Sequence, residues 1–355
     1  MNARRFLIVL MLLLPMQGIV QGFVKAWAQG FAGLGTAQGD FANPDRKTVL
    51  KFPADHGPHP DFRIEWWYVT ANMTGADGKA YGLQWTLFRT ALAPREADGW
   101  ASPQLWMGHA AITTPTTHFV TERLARGGIG QAGVKAAPFS AWIDDWAMEG
   151  ESFDKLRLNA SGPDFAYDVG LTATGPLVLH GDQGYSVKSA SGQASHYYSQ
   201  PFFKLAGTLT LPEGKVAVTG TAWLDREWSS QPLAADQTGW DWFSLSLDSG
   251  DKLMGFVLRG TSNYTSATWI AANGTATALP DGAFAAKPLA KHNVAGRNVP
   301  VEWRVRLPDK NVDVTVKALN RNAWMATSVA YWEGPVVFSG SHGGFGYLEM
   351  TGYSD

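Results

Sequence analysis

Cysteine is absent from all 355 residues, so no disulfide bond can stabilise this chain. Its stability must come from the burial of apolar side chains, and 45% of its residues are hydrophobic. Charged residues make up only 17% of the chain, the formal net charge is −2, and no basic stripe is present. Because binding to phosphate groups needs such a stripe, we expect no nucleic-acid partner.

Long hydrophobic runs are lacking outside the N-terminal segment. There, Arg4-Arg5 precede an apolar run over 6–14, and the small-x-small pattern Ala26-Trp27-Ala28 follows. This order predicts a secretory signal peptide over 1–28 and a mature protein that is periplasmic or secreted and does not span the membrane. The alternative is a retained anchor, which would leave the protein membrane-associated. The apolar run is short for a membrane span, which favours cleavage.

The common catalytic motifs are also missing. The chain has no nucleophile elbow, no phosphate-binding loop and no H-E-x-x-H zinc motif. Residues 128–133 fit the G-x-G-x-x-G pattern, but they follow a charged segment, and Pro138 would soon end any helix. We interpret this stretch as a glycine-rich turn.

A pair of histidines offers two interpretations. His56 and His59 lie between Asp55 and Asp61, which is a composition found at metal sites. Two histidines in a loop without a third ligand are a weak pattern, and an ordinary loop with hydrogen-bonding histidines is the alternative. We favour the loop, and we expect neither a metal nor another cofactor.

Aromatic residues are abundant, with sixteen tryptophans. Apolar and polar residues alternate over 156–171, 245–258 and 301–316, each time around a turn rich in Gly, Pro, Asp or Ser. Such alternation is typical of half-buried strands in hairpins. The sequence therefore predicts an all-β fold, and many short strands favour antiparallel barrels or sandwiches.

Composition also suggests a division of the chain. Residues 29–44 are rich in Gly, Ala and Gln and predict a flexible leader. Small polar residues cluster at 181–196, so we expect an N-terminal domain over 45–185 and a C-terminal domain over 197–355. The Ala-, Gly- and Asn-rich segment 274–298 predicts a long surface loop.

One segment combines carboxyl groups with indoles. If 220–230 is a strand, Trp223, Asp225 and Glu227 lie on one face. A carboxyl buried among aromatic rings has a raised pKa and can act as a general acid, while indole faces stabilise a developing cation. This combination suits addition of water to an isolated alkene. The alternative is a structural ion pair of Asp225 or Glu227 with Arg89 or Arg259.

A second pair of strands carries buried charges. Glu65 and Arg89 lie in the alternating stretches 63–69 and 82–89. Each needs a partner inside or at the mouth of the first barrel, so we expect a structural ion pair between them. Contact with a ligand headgroup is the alternative.

Several motifs together resemble a known family, the AttH-like branch of the hydroxyneurosporene synthase (carotenoid 1,2-hydratase) family. They are Asp55-His56-Gly57-Pro58-His59, Glu65-Trp66-Trp67-Tyr68, Tyr197-Tyr198-Ser199-Gln200-Pro201, Trp223-Leu224-Asp225-Arg226-Glu227-Trp228, Tyr331-Trp332-Glu333-Gly334 and the stretch 346–353. The likeness covers nearly all of the chain after residue 45. The form Trp223-Leu224-Asp225-Arg226-Glu227-Trp228 is typical of the AttH-like branch.

The resemblance implies two lipocalin-like domains and, in the hydratase branch, hydration of an acyclic carotenoid without metal or organic cofactor. It places the proton-donating acid at Asp225, its aromatic neighbour at Trp223, and the family's His-x-aromatic motif at His196 and Tyr198. From the resemblance and the residues together, we expect a ligand site formed by five further side chains. These are Tyr197, Glu227, Trp228, Trp240 and Trp242.

Three functions follow from this interpretation. The first is an exported protein that binds a lipophilic molecule and hydrates, isomerises or hydrolyses it, with Asp225 as the acid and His196 and Tyr198 positioning water or substrate. The second is a non-catalytic carrier, or an accessory component that works with an ABC-type transporter. The third is a structural envelope protein whose rings simply fill two barrels.

Overall fold

The computed structural model describes residues 40–231 and 233–353. The predicted signal peptide, 1–28, lies outside the described residues, as does most of the predicted leader. In the described part of that leader, the amide of Ala42 donates to the carbonyl oxygen of Asp61. The carbonyl oxygen of Ala42 accepts a hydrogen bond from Ser230 Oγ. Of the described residues, 61% are in strands and 3% in helices, which confirms the all-β prediction. None of the helices in the described part is long and apolar enough to cross a membrane.

The first sheet contains thirteen strands of the described chain. They are β1 Ile64–Gly75, β2 Ala80–Ala91, β3 Gln104–Thr113, β4 His118–Arg126, β5 Ala132–Ala136, β6 Phe139–Ile143, β7 Trp146–Ser152, β8 Lys155–Ser161, β9 Ala166–Ala173, β10 Val178–Leu179, β11 Tyr185–Val187, β12 Ala194–Leu211 and β13 Gly214–Ser229. All pairings are antiparallel, in the order β4-β3-β2-β1-β13-β12-β9-β8-β7-β6-β5, with β10 and β11 on β12.

This sheet curls into a nearly closed barrel. Its two ends approach each other at Gly108 of β3, where a Cβ atom would lie 2.7 Å from Ile143 of β6. Only glycine allows this close approach. The interior is filled by large side chains, including the fully buried Trp67, Trp85 and Trp146. A barrel packed in this way leaves little room for a ligand in its interior.

The second sheet contains ten strands of the described chain. They are β14 Gly239–Leu247, β15 Lys252–Arg259, β16 Tyr264–Ile270, β17 Ala276–Leu279, β18 Ala285–Val294, β19 Arg297–Leu307, β20 Val312–Ala318, β21 Trp324–Met325, β22 Tyr331–Gly340 and β23 Gly344–Met350. They pair antiparallel in the order β17-β16-β15-β14-β23-β22-β20-β19-β18, with β21 on β22. Short 3-10 helices occur at Ala54–His56, Gly99–Ala101 and Pro308–Lys310.

The second sheet forms a half-barrel around its own core, which includes Phe243, Trp303 and Trp332. The prediction of a surface loop over 274–298 is wrong, because this segment contains β17, all of β18 and the first two residues of β19. The error has a physical reason: β18 is an edge strand that is largely exposed, so it has no apolar face for the pattern to reveal.

The chain passes from the first sheet to the second over 230–238, later than the boundary expected at 181–196. The small polar residues of 181–196 instead form turns around the short strand β11, which lies against β12. The outer face of the first barrel then packs on the second sheet. A third apolar cluster fills this junction, and Tyr197 and Trp223 from one sheet meet Trp242 and Phe256 from the other.

Candidate active site

Alternation along β13 divides its side chains between two environments. Leu224 and Trp228 point into the core of the first barrel, whereas Trp223 joins the cluster between the two sheets. Asp225 and Glu227 share the face of Trp223, as a period of two requires. The sequence thus directs two carboxyl groups and an indole out of the barrel and towards the second sheet.

These groups face a narrow, mainly apolar cleft between the sheets. Its empty volume, counted out to its mouth, is about 710 Å³. Aromatic and aliphatic side chains form most of the wall, among them Trp66, Tyr68, Trp240, Trp242, Phe256 and Leu258. Asp225 and Glu227 line it from the first sheet, and Glu349 lines it from the second. A concave apolar wall with a few convergent polar groups is the usual form of a small-molecule site.

Asp225 is buried and accepts three hydrogen bonds. Its Oδ1 accepts from Trp223 Nε1 at 2.6 Å and from Ser199 Oγ, while Oδ2 accepts from Tyr197 Oη at 2.7 Å. Within the described chain, no lysine or arginine forms an ion pair with it. Burial raises the pKa of Asp225 to about 7; the three hydrogen bonds oppose this rise and the charge of Glu227 adds to it. Because Oδ2 accepts only one bond, it has room for the proton.

A second layer of hydrogen bonds holds Ser199 in place. His180 Nε2 lies 2.6 Å from Ser199 Oγ, and His180 Nδ1 lies 2.9 Å from Thr268 Oγ1 on the second sheet. Burial, with a contribution from the nearby lysine, lowers the pKa of His180 well below its usual value, so the ring is neutral. It donates through Nε2 to Ser199, which in turn donates to Asp225. His180 is therefore a positioning residue for the acid.

Glu227 is neutralised by a buried lysine. Lys188 Nζ lies 2.9 Å from Glu227 Oε1 and 4.1 Å from the ring centre of Phe256, and Ser195 also donates to the carboxylate. The sequence suggests Arg89 or Arg259 as alternative ion-pair partners of Asp225 or Glu227. In the structure, Arg259 pairs with Asp241 at 3.2 Å and Arg89 pairs with Glu65. Glu227 therefore contributes a compensated charge to the cleft, whereas Asp225 has no such cation as a partner within the described chain.

Glu349 forms the opposite wall. Trp240 Nε1 donates to its Oε1 at 2.8 Å. Burial raises the pKa of Glu349 to about 7; hydrogen bonds from Trp240 and Tyr68 oppose the rise and the charge of Asp225 adds to it. Since the two carboxyls repel each other when both are ionised, a state with one proton on the pair is favoured near neutral pH. Such a pair can supply an acid and a base together.

Three predicted site residues lie on the wrong face of the sheet. His196, Tyr198 and Trp228 point into the first barrel, where Tyr198 Oη is 2.7 Å from His56 Nδ1. The reason is the cross-strand register: His196 is opposite Trp228, whereas Ser199 is opposite Asp225. His196 and Tyr198 therefore do not reach the acid, and Trp228 does not line the cleft.

The other predicted ligand residues do lie at the cleft. Glu227, Trp240 and Trp242 line it directly. Tyr197 lies behind this wall, where its hydroxyl donates to Asp225 and accepts from Trp242 Nε1 at 3.3 Å.

Glu65 and Arg89 meet inside the first barrel in a larger network. Arg89 Nε donates to Glu65 Oε1, and Arg226 Nη2 donates to Glu65 Oε2 at 3.0 Å. Burial alone would raise the pKa of Glu65, but Arg89, His59 and Arg226 hold it well below its ordinary range. The side chains of Glu65, Arg89 and Arg226 are fully buried and face away from the cleft. The position of this ion-pair network is that of a structural element of the first barrel.

The two histidines of the N-terminal loop are both held by protein groups. His56 stacks on Phe153 with ring centres 3.7 Å apart, and His59 stacks on Trp228 at 3.9 Å. His59 also bonds to Glu65. Across the described residues, no group of three or more His, Asp or Glu side chains is arranged to hold a metal ion.

Sequence reasoning missed three residues that line the cleft, Lys188, Glu349 and Tyr68, and two that contact the site from behind, His180 and Glu333. Lys188 lies in the polar stretch 181–196 that suggested a domain boundary, and His180 immediately precedes that stretch. The other three lie within motifs already noted for the family resemblance, so those motifs carried a signal. What the motifs lacked was any indication that distant strands meet at one cleft.

Comparison with known proteins agrees with this architecture. The sequence profile of the AttH-like family matches residues 43–353. The chain belongs to the AttH-like family. A crystal structure described as an AttH from Nitrosomonas europaea is 34% identical, covers 89% of this chain and 100% of its own, and superposes with a TM-score of 0.81.

Two more distant structures share the fold of this AttH-like chain. Kievitone hydratase from Nectria haematococca is 19% identical, with a TM-score of 0.64 and coverage of 89% of this chain and 99% of its own. CghA is 12% identical, with a TM-score of 0.55 and coverage of 90% and 96%. No functionally curated protein sequence matches the chain.

The raised pKa of Asp225 predicts a pH-dependent stability. The folded protein keeps this proton up to about pH 7, whereas the unfolded chain releases it near pH 3.8. The stabilisation is therefore lost as pH rises from about 4 to about 7. The difference in unfolding free energy between Asp225→Asn and wild type should therefore favour the variant more at about pH 8 than at about pH 5. Denaturant unfolding at both pH values measures this difference.

The control is Asp168→Asn, at an exposed aspartate whose pKa is lowered by a hydrogen bond from Arg157. Its effect on the free energy of unfolding should be the same at both pH values. An equal effect of Asp225→Asn at the two pH values would show that Asp225 is ionised throughout.

Proposed function

We propose that this AttH-like protein binds a lipophilic molecule in the cleft between its two barrels and adds water to an isolated carbon–carbon double bond of that molecule. The observation that carries the proposal is Asp225, a buried carboxyl with a pKa near 7 on the wall of an aromatic cleft. A carboxyl of this kind keeps its proton on a large fraction of the molecules at neutral pH and can protonate an alkene carbon. The likeness to the fold of a kievitone hydratase supports the same reaction class.

The reaction balances with the two carboxyls on opposite walls. Asp225 Oδ2 gives its proton to one alkene carbon, and the π electron pair forms the new C–H bond. The positive charge on the other carbon is stabilised by the faces of Trp240 and Trp242. A water oxygen then forms the C–O bond and gives up a proton to Glu349. The product has gained one water, and the carboxyl pair has the same number of protons as before.

The direct test is incubation of the purified protein with acyclic isoprenoids of increasing length, from geraniol to lycopene, in water labelled with heavy oxygen. We expect an alcohol product that carries the label, detected by mass spectrometry. An organic extract of the purified protein, analysed in the same way, identifies any lipid that co-purifies. If no member of the series nor the extracted lipid gains labelled oxygen, hydration is refuted.

A carrier is the second candidate, favoured by one observation: both oxygens of Asp225 already accept hydrogen bonds from the protein. A carrier retains a co-purifying lipid and forms no product. The same experiment therefore separates the two functions. For either function, the N-terminal sequence pattern supports a location outside the cytoplasm, where an ABC-type transporter would be a partner.

A further inference from the structure

One buried cation on the wall of the cleft, Lys188, has no part in the proposed reaction. The residue is only 2% exposed, and it lines the cleft together with Glu227 and Phe256. Its backbone is held in place, because its amide donates to the carbonyl of Gln193 at 2.7 Å and its own carbonyl accepts from Gln237 Nε2 at 2.9 Å. The fold therefore keeps this ammonium group at the cleft and out of bulk water.

The ammonium group of Lys188 has N–H donors that no protein group accepts. Nζ lies 2.9 Å from Glu227 Oε1, but this contact lacks the direction of a hydrogen bond, and Nζ has no hydrogen-bond acceptor in the described chain. Its other neighbours are rings, with Nζ 4.1 Å from the ring centre of Phe256 and 4.6 Å from that of Tyr197. A buried donor without an acceptor costs free energy. A bound molecule that places an oxygen atom at Nζ removes this cost.

The charges along the cleft determine what kind of oxygen fits. Three carboxyl groups, those of Asp225, Glu227 and Glu349, line the cleft with this one lysine. A carboxylate or phosphate on the ligand would add a further negative charge to a narrow space that already holds these groups, and like charges repel. The oxygen that suits Lys188 therefore belongs to a neutral group, a carbonyl or a hydroxyl.

The strand also sets the distance between this oxygen and the reacting bond. Asp225 and Glu227 are two residues apart on the same face of β13, which is roughly 7 Å along the strand. Lys188 is paired with Glu227, whereas the double bond is protonated at Asp225. The oxygen and the double bond of one ligand are therefore expected to be separated by a few carbon atoms.

We propose that Lys188 donates a hydrogen bond to the carbonyl or hydroxyl oxygen of the ligand, so that the cleft selects an oxygenated unsaturated lipid over the corresponding hydrocarbon. The inference rests on the proposed function, which places a lipophilic molecule in this cleft with a double bond at Asp225. Lys188 is then a specificity-determining residue. By holding the oxygen, it also determines which double bond of a longer chain lies at the acid.

The test compares two ligands of nearly the same shape. One is the unsaturated ketone sulcatone, and the other is the diene in which a methylene group replaces its carbonyl oxygen. Both are volatile, so headspace gas chromatography over the purified protein measures the free ligand and gives both dissociation constants. Lys188→Met should weaken binding of the ketone by about tenfold or more, the usual effect of losing a hydrogen bond to a charged group. Binding of the diene should not weaken.

Lys252→Met is the matched control. Lys252 is also buried, but its Nζ donates to Ser246 Oγ at 3.0 Å, and it is not among the described residues that line the cleft. This variant should keep the wild-type ratio of the two dissociation constants. Lys188→Met leaves the Glu227 carboxylate without its cation, so circular dichroism establishes that the variant is folded. If it is not, Lys188→Met combined with Glu227→Gln removes both charges together and replaces it.

Three outcomes would overturn the inference. They are an unchanged ratio in the Lys188 variant, binding of none of the ligands by wild type, and equal binding of the ketone and of the acid in which a hydroxyl replaces its terminal methyl group. Binding needs no turnover, so these results do not depend on whether hydration occurs. The experiment with labelled water decides hydration separately.

Discussion

Asp225→Asn is expected to reduce turnover by about 10²–10⁴-fold, the usual contribution of a general acid. The amide has nearly the same shape, and its oxygen can keep the hydrogen bonds from Trp223 and Ser199 while its NH2 group faces Tyr197 Oη as a donor. It has no acidic proton to give to an alkene carbon. The shape and apolar surface of the cleft are unchanged, so affinity for the lipid should stay the same. Initial rates, together with the amount of co-purifying lipid, measure the two effects separately.

Asp241→Asn is the matched control for this variant. Asp241 is also a buried aspartate, burial raises its pKa to about 6, and Arg259 and Tyr353 hold it on the face of β14 away from the cleft. Turnover in this control should stay near the wild-type level, after correction for the folded fraction. A similar loss of turnover in both variants would mean that Asp225 supports the structure and is not the acid.

Arg226→Ala is expected to lower the free energy of unfolding by about 3–5 kcal/mol, the cost of leaving a buried charge without one of its partners. The guanidinium is fully buried and donates to Glu65 Oε2 at 3.0 Å and to the carbonyl of Gly57 at 2.6 Å. It also lies 3.8 Å from the ring centre of Trp67. Truncation removes these contacts, and Glu65 then keeps only its contacts with Arg89 and His59. Urea unfolding measures the change.

The exposed pair of Arg304 with Asp313, 2.7 Å apart on the second sheet, gives the comparison. Arg304→Ala should leave the free energy of unfolding nearly unchanged, because water screens the pair. If the two variants lose similar amounts of stability, the Glu65 network contributes no more than a surface ion pair.

Local patterns were sufficient for much of the fold. Alternation over 156–171, 245–258 and 301–316 gave hairpins that the structure contains as β8–β9, β14–β15 and β19–β20. The same rule placed Asp225 and Glu227 on one face of β13. These inferences succeed because the direction of a side chain in a strand depends only on its own position.

Contacts between distant strands were beyond this reasoning. His196 and Tyr198 are near Asp225 in the sheet, but register turns them to the opposite face, and Tyr197 and Ser199 take the places expected for them. Register depends on how β12 and β13 pair, which the pattern of one strand does not determine. Glu349 reaches the cleft only because the second sheet packs against the outside of the first barrel.

The position of the cleft has a consequence for the evolution of this fold. Each sheet has its own packed core, and the cleft uses side chains from the surfaces where the sheets meet. Substitutions at Trp66 or Leu258, for example, alter the cavity without opening a void in either core. Under the proposed function, relatives can therefore diverge in the molecules they accept while their folding determinants stay under separate selection.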